Sequence, residues 1–358
     1  MRIGIVTQPL EMNYGGILQN WALQQALKKL GHEPITIDAY QRYSTVHYLF
    51  NCLRAIVKRL GGRSVGLPRP YKGALRNELM GNFIEEHIDK TKVMWHYKRD
   101  IVKKYGIDAL VVGSDQVWRA RYNGDHLEDM YLGFADGLKL KRIAYAASFG
   151  VDDWEYTEQQ TARCAALAQQ MDAVSVREPS GVTLCREHLK VKAECVLDPT
   201  LLLEASDYDS IIDADWDDEE PYLAVYCLDI TPEKEAFFNR LAATRGLKVR
   251  RFSAGWKSQL TIGQWLAMLS KATIVVTDSF HGTVFSILFG RDFYTLCNAD
   301  RGNPRISSLL TPLGLKARLL IDLSTSKLDI AFIDWSVVNN ALNSHRERSI
   351  RFLADSLK

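Results

Sequence analysis

An α/β fold of two parallel-sheet halves facing a cleft is what this chain predicts, and three observations carry it. Short apolar, β-branched runs alternate with segments of helical period along the sequence, the pattern of βαβ units and of a parallel sheet covered by helices. The alternation runs through two cycles, separated by a stretch from Ala193 to Glu233 that holds no Lys or Arg and is strongly acidic from Asp207 to Glu220. Several strand runs also stop at small polar residues just before a helix pattern, which places chemistry at strand carboxyl ends, where open α/β sheets bind ligands. At 358 residues there is chain enough for two such units.

The elements follow in order. Residues 3–7 are a β-branched strand, and 19–30 have helical spacing that stops at Gly31, a residue suited to the left-handed cap. Strands are expected at 34–38, 109–113, 143–147, 173–177 and 194–197, with helices at 158–171 and at 179–189, where Pro179 suits a first turn. The second cycle begins with strand 222–228 and helix 232–245, stopped by Gly246. Strand 248–252, helix 262–271, strand 274–277, helix 284–289, strand 293–296 and helix 306–313 follow, with Gly314 as the stop. Residues 335–357 have helical spacing and no strand run, so a last helix is expected to pack back across the seam. The division expected is 1–200, with a basic helical insert at 42–76, then 201–334, then a helical segment 335–358.

Composition narrows the function. The 45 Lys+Arg nearly balance the 43 Asp+Glu, so nothing global calls for nucleic acid. No run approaches the ~18 apolar residues of a membrane helix. The N-terminus lacks the apolar core and cleavage site of a signal peptide, which points to the cytoplasm. Cysteines 52, 164, 185, 195, 227 and 297 are scattered without a CxxC or CxxH pair, as free thiols are, and no metal-ligand cluster appears.

The densest chemistry lies at 274–288, where Ile-Val-Val-Thr gives way to Asp278, Ser279, Phe280, His281 and Gly282. The pattern puts Asp278, Ser279 and His281 at a strand end beside a helix N-terminus, which favours anions. A histidine there binds an anion, donates a proton, or does both. Asn13-Tyr14-Gly15-Gly16 follows the first strand: paired glycines let backbone N–H groups approach an anion, and a tight turn would explain them equally. After the strand ending at Gly113, Ser114 or Asp115 either caps a following helix or, for Asp115, bonds a sugar hydroxyl. Arg177 ends another strand, and its guanidinium fork either meets an anion in the cleft or pairs with Glu178 at the surface or with a carboxylate across the seam. Arg301 and Arg305 offer a further cation, against helix-start solvation. Leu49, Leu53, Ile56 and Leu60 recur at helical spacing beside Arg54, Lys58 and Arg59, and no acidic residue occurs from Ala39 to Asn77. That describes either a basic amphipathic helix for an anionic membrane surface or a core-packed helix with a solvated back.

Taken together, Asn13-Tyr14-Gly15-Gly16, Gly113-Ser114-Asp115-Gln116-Val117-Trp118, Val174-Ser175-Val176-Arg177-Glu178, Asp198-Pro199-Thr200 and Thr277-Asp278-Ser279-Phe280-His281-Gly282 resemble the polysaccharide pyruvyl transferase family, in order over roughly residues 1–315. The resemblance implies a fold similar to GT-B glycosyltransferases, with two Rossmann-like domains. It implies transfer of pyruvate from phosphoenolpyruvate onto two sugar hydroxyls as a ketal, in the synthesis of surface polysaccharide such as capsule or exopolysaccharide. Phosphoenolpyruvate would be a co-substrate, with no metal and no cofactor. The acceptor would be a sugar on a polyprenyl diphosphate at the inner face of the cytoplasmic membrane, where the basic insert could dock. On this reading His281 is the acid, and Asp115 or Asp278 the base. Arg177, Ser279, His281, Gly282 and Arg305 hold the donor, and Asn13, Tyr14, Gly15, Gly16, Asp115 and Gln116 face the acceptor. Two other readings compete: a glycosyltransferase using a nucleotide-sugar donor, for which no uracil or guanine contact is recognisable, and a sugar-binding assembly subunit without catalysis.

Overall fold

The computed structural model describes the chain except residues 12, 43–44, 62–65, 67, 69–70, 73–77, 217–219, 254–259, 299–302 and 324–331. Its first half runs β1 (Arg2–Val6), α1 (Tyr14–Lys29), β2 (Glu33–Thr36), β3 (Gln41–Arg42), α2 (Thr45–Leu60), β4 (Tyr71–Lys72), α3 (Glu78–His87), α4 (Asp100–Lys104) and β5 (Ala109–Val112). It continues with α5 (Ala120–Asn123), β6 (Lys141–Ala147), α6 (Glu158–Ala168), β7 (Ala173–Val176), α7 (Pro179–Leu184) and β8 (Glu194–Cys195). The second runs β9 (Tyr222–Tyr226), α8 (Pro232–Arg245), β10 (Lys248–Arg251), α9 (Ile262–Ser270), β11 (Ile274–Thr277), α10 (Phe280–Leu288), β12 (Asp292–Leu296), α11 (Asn303–Leu310), β13 (Leu319–Leu320) and α12 (Trp335–Ser356).

Among the described residues the first sheet is ordered β2-β1-β5-β6-β7-β8 and the second β10-β9-β11-β12-β13. Every neighbouring pair in both is parallel. This is the expected α/β class, built on two parallel sheets. Local chemistry sets the helix ends. Thr157 with Gln160, and Thr261 with Gln264, form capping boxes. Thr231 caps α8 with Pro232 behind it, and Gly246 closes that helix at φ +62°.

The two sheets share core. Leu10, Tyr14, Ile17, Leu18 and Trp21, before and on α1, pack in one cluster with Tyr226, Trp265 and Phe285 of the second half. Tyr14 stacks on Trp265 with ring centroids 5.1 Å apart, and its hydroxyl donates to the Leu260 carbonyl at 2.8 Å. The last helix crosses the seam. Val338 and Leu342 join that cluster, while Leu353 and Leu357 pack with Ile3, Ile5 and Val111 of the first sheet. Its Arg346 donates to the carbonyls of Leu201 and Leu203, and Ser349 accepts from the Leu197 N–H, so α12 grips the connecting segment.

Three local expectations are corrected. Helix α1 begins at Tyr14 rather than at 19, so Tyr14, Gly15 and Gly16 form its first turn and not a loop. Helix α10 begins at Phe280 rather than 284, and His281 is inside its first turn. No helix starts at Ser114 or Asp115: α5 begins only at Ala120, with Arg119 at its cap position. The cysteines are free, with 164, 185 and 227 buried and 195 exposed.

Candidate functional site

Both sheets reverse their strand order after the first strand, between β1 and β5 and between β9 and β11. Crevices open at the carboxyl ends of strands at such points. Here the two crevices face each other. Asn13, Asp115 and Gln116 from the first, and Asp278, Ser279 and His281 from the second, line one pocket of about 100 Å³, with Arg305 and Phe280.

Asp198, in the segment joining the halves, is the hub. Its Oδ2 accepts from Arg177 Nη1 at 2.7 Å and from Ser114 Oγ at 2.9 Å, while Oδ1 accepts from the Thr200 N–H and hydroxyl. The side chain is fully buried, and His281 Nε2 stands 3.7 Å from Oδ2, within ionic reach but beyond a hydrogen bond. Burial alone would raise this carboxyl. His281, Arg177 and Thr200 outweigh burial and hold it well below the usual carboxylate range. A carboxylate whose ionised form is favoured therefore sits beside the histidine.

The motif around Arg177 explains its aim. Ala146 has φ +52° at the irregularity in the β6–β7 register. The Ser175 hydroxyl patches it, accepting from the Ala146 N–H and donating to the Ala144 carbonyl. Glu178 accepts from Ser148 Oγ and the Phe149 N–H, fixing the loop after β6, and its own burial pushes its carboxyl up. Arg177 is thus locked against Asp198, with Asp115 Oδ1 3.8 Å from Nη2. Its Nε and Nη2 hydrogens make no hydrogen bond. The surface pairing of Arg177 with Glu178 does not occur; Arg177 is buried and its near carboxylates are Asp198 and Asp115.

Arg177 and Arg305 both lie against the Phe280 ring, at 4.2 and 6.0 Å from its centroid. Burial first, and the like charge of Arg177 second, pull the Arg305 guanidinium down to about 10. Arg177 is already paired with Asp198 and stands near Asp115, and Glu178 and Asp115 partly offset the Arg305 charge, so the ring is flanked by a cluster of mixed charge. Phe280 also partitions this pocket from a larger, mostly apolar cavity of about 380 Å³ lined by Leu197, Leu309 and Leu313.

Helix α10 adds its N-terminus. Ser279 caps it by accepting from the Gly282 N–H at 3.4 Å, and the helix is buried throughout. His281 Nε2 is buried and without a hydrogen-bond partner. The ring is seated on α1: a Cβ at Gly15 would fall 1.9 Å from His281 Nδ1. The glycine at position 15 therefore admits the histidine. Gly282 is a packing residue as well, since a Cβ there would meet Thr277 Oγ1 at 2.3 Å. Gly16 fits closely against Asn13.

Asp278 carries a full set of partners. It accepts from Lys234 Nζ at 2.7 Å, the N–H groups of Leu228 and Asp229, and Asn298 Nδ2. It ties the β9 and β11 ends together, with three of the four donors on Oδ2 and the Leu228 N–H on Oδ1. Asp115 is different. It is held at φ +71°, a left-handed conformation that Asp tolerates better than most residues, while its backbone continues the β5–β6 pairing through Ser148 and Ala147.

Of the residues singled out in the sequence, Asn13, Asp115, Gln116, Asp278, Ser279, His281 and Arg305 line the pocket, with Arg177 behind Phe280. Tyr14 and Gly15 face the other half's core and the His281 ring instead. Arg301 lies outside the described residues. Sequence reasoning assigned no role to Asp198, Lys234 or Phe280. The Asp198-Pro199-Thr200 turn was the available signal for the first. No metal-ligand grouping occurs among the described residues.

The model of the family described as polysaccharide pyruvyl transferase matches residues 13–298. No curated protein matches the chain. Solved structures with a similar overall course include MnaA of S. aureus in a co-structure with UDP, at 11% identity and a TM-score of 0.49, covering 99% of this chain and 90% of that one. The UDP-GlcNAc 2-epimerase of Neisseria meningitidis has 11% identity and a TM-score of 0.49 over 98% and 94%. The glycosyltransferase SsfS6 of Streptomyces sp. SF2575 has 14% identity and a TM-score of 0.42 over 97% and 96%.

Proposed function

The chain belongs to the polysaccharide pyruvyl transferase family, and on that premise we propose that it moves pyruvate from phosphoenolpyruvate onto two hydroxyls of a sugar, forming a ketal. The observation that carries this reading is one pocket in which Arg305 and the N-terminus of α10 meet His281 and Asp115, with Arg177 on the far side of the Phe280 ring. Phosphoenolpyruvate brings a carboxylate and a phosphate, anions of the kind that a guanidinium fork and a helix N-terminus hold.

The steps follow from the chemistry of the donor. The His281 imidazole gives a proton to the enol methylene, and the neighbouring carbon becomes oxocarbenium-like. Ionised Asp198, 3.7 Å away, stabilises the charged ring. A sugar hydroxyl attacks that carbon as Asp115 takes its proton. Phosphate departs, and the second hydroxyl closes the ketal, its proton leaving with the phosphate. Asp115 is preferred to Asp278 as base because four donors already occupy Asp278. Residues 201–334 would carry the donor-activating histidine and 1–200 the acceptor face. The acceptor is proposed to be a sugar on a polyprenyl diphosphate at the cytoplasmic side of the membrane, with no cofactor besides the co-substrate.

A thermal shift titration at matched ionic strength tests this, with phosphoenolpyruvate set against UDP, GDP and CMP. Phosphoenolpyruvate should raise the midpoint, and Arg305→Gln should weaken that response about tenfold or more. Arg305 is a cleaner probe than Arg177, whose loss would also strand buried Asp198. Stabilisation by a nucleotide alone would replace the reading with glycosyl transfer.

A further inference from the structure

The helix α2 is laid with its apolar face outward. At 100° per residue, Val46, Leu49, Phe50, Leu53, Ile56, Val57 and Leu60 fall within one arc of about 120°. Every one of them is exposed, from 46% at Ile56 to 84% at Leu60, whereas Ala55 on the opposite side is 5% exposed. A helix that served the core would present these faces the other way round. The core-packed alternative raised by the sequence is therefore not what the structure shows.

Charge identifies the occupant. Arg54 and Lys58 border the apolar arc on one side and Arg59 on the other. The surrounding stretch, 39–77, also contains Arg42, Arg63, Arg69, Lys72 and Arg76 without one Asp or Glu. Arg63, Arg69 and Arg76 lie outside the described residues. A second copy of this chain would bring cation against cation. An anionic lipid surface satisfies both the arc and its border, since apolar side chains enter the acyl boundary while Lys and Arg reach headgroups.

Topology puts the helix on the working side. The insert leaves the sheet at the carboxyl end of β2 and is pinched at its base by antiparallel pairing of Gln41 with Lys72 and Arg42 with Tyr71. It rejoins the core through Met80, Phe83 and Ile84 of α3. That is the sheet edge from which Ser114 and Asp115 also project, because β1, β2 and β5 run parallel.

We infer that α2 is an interfacial anchor that seats the enzyme on an anionic phospholipid surface with its cleft toward that surface. The purpose of such seating, access to a lipid-linked acceptor, rests on the proposed function. The binding itself does not, so the two can fail separately.

Flotation of the full-length chain with vesicles decides it, with neither donor nor acceptor present. Phosphatidylcholine alone is compared with phosphatidylcholine and phosphatidylglycerol in equal parts. Binding to the anionic vesicles is expected at low salt, weakening as salt rises. Leu53→Glu with Val57→Glu should reduce it at least tenfold, and each of Arg54→Gln, Lys58→Gln and Arg59→Gln by about fivefold. Both apolar sites are exposed, so the variants should keep the parent's circular dichroism and melting midpoint. Absence of parental binding to anionic vesicles at low salt would overturn the inference. So would equal binding by a folded Leu53→Glu/Val57→Glu variant. A dimer that dissociates in that variant, seen by sedimentation velocity without any vesicle binding, would assign the face to self-association instead.

Discussion

At Gly15 one hydrogen stands where any other residue would carry carbon, and the His281 ring occupies the space. Gly15→Ala should therefore displace the ring and lower both stability and turnover. In a His281→Ala background the same change should cost far less stability, because the clashing ring is gone. A double-mutant cycle by urea denaturation measures that coupling, and additive losses would show that ring and glycine are independent. His281→Ala alone should leave a folded protein with turnover down ~10²–10⁴-fold. Asp198 makes a second residue-scale test. Asp198→Asn removes the carboxylate 2.7 Å from the buried Arg177 and leaves Asp115 at 3.8 Å as its near counter-charge, at a cost of up to about 3–5 kcal/mol. Because the folded carboxyl titrates below the unfolded value of ~3.9, its contribution is complete at pH 7 and declines as pH falls below about 4. The stability gap between parent and variant should accordingly narrow between pH 7 and pH 3. A gap independent of pH would remove the charge from the explanation. Arg177 and His281 could be placed at the cleft from the sequence because they closely follow β7 and β11, whereas Arg305 lies further beyond β12. The sequence could not show that Asp198 draws Arg177 and Ser114 together, since those contacts span 21 and 84 positions.

Strand existence and most helix stops were legible at the scale of elements, because β-branched runs, Pro at first turns and Gly at ends act locally. Gly31, Gly246 and Gly314 all have positive φ where a helix was expected to stop. Helix starts were less legible. Glycines 15 and 282 read as loop, yet each lies in the first turn of a helix and is there for close approach rather than flexibility. Gly282→Ala separates the two meanings. In an open helix it would stabilise by close to 1 kcal/mol. Here its Cβ would press on Thr277 Oγ1, which donates to the Tyr226 carbonyl and accepts from the Ser279 N–H. A loss of about 1–3 kcal/mol is expected, read from the denaturation midpoint, and a gain would contradict the packing of α10 on β11. The orientation of α2 was also beyond the sequence: periodicity gives the arc but not which way it faces.

For the whole molecule, the division into two cycles was readable from the alternation and from the acidic stretch between them, and their mutual packing was not. Tyr14, read as part of an anion loop, is instead an aromatic key from the first half into the core of the second. With α12 also contributing to both sides, scanning calorimetry should give one transition whose van't Hoff and calorimetric enthalpies agree. Two resolved peaks would show that the halves melt as separate units.

The stacking of Tyr14 on Trp265 sets a limit on motion. Two jaws joined by a supple strap can swing; these are dovetailed near the hinge line, with the tyrosine as the tenon. Any wide gape would have to pull a buried ring and its hydroxyl bond out of the opposite jaw. Small substrates must then thread into a mouth whose width is already set, and adjustment falls to rotating side chains at the lips.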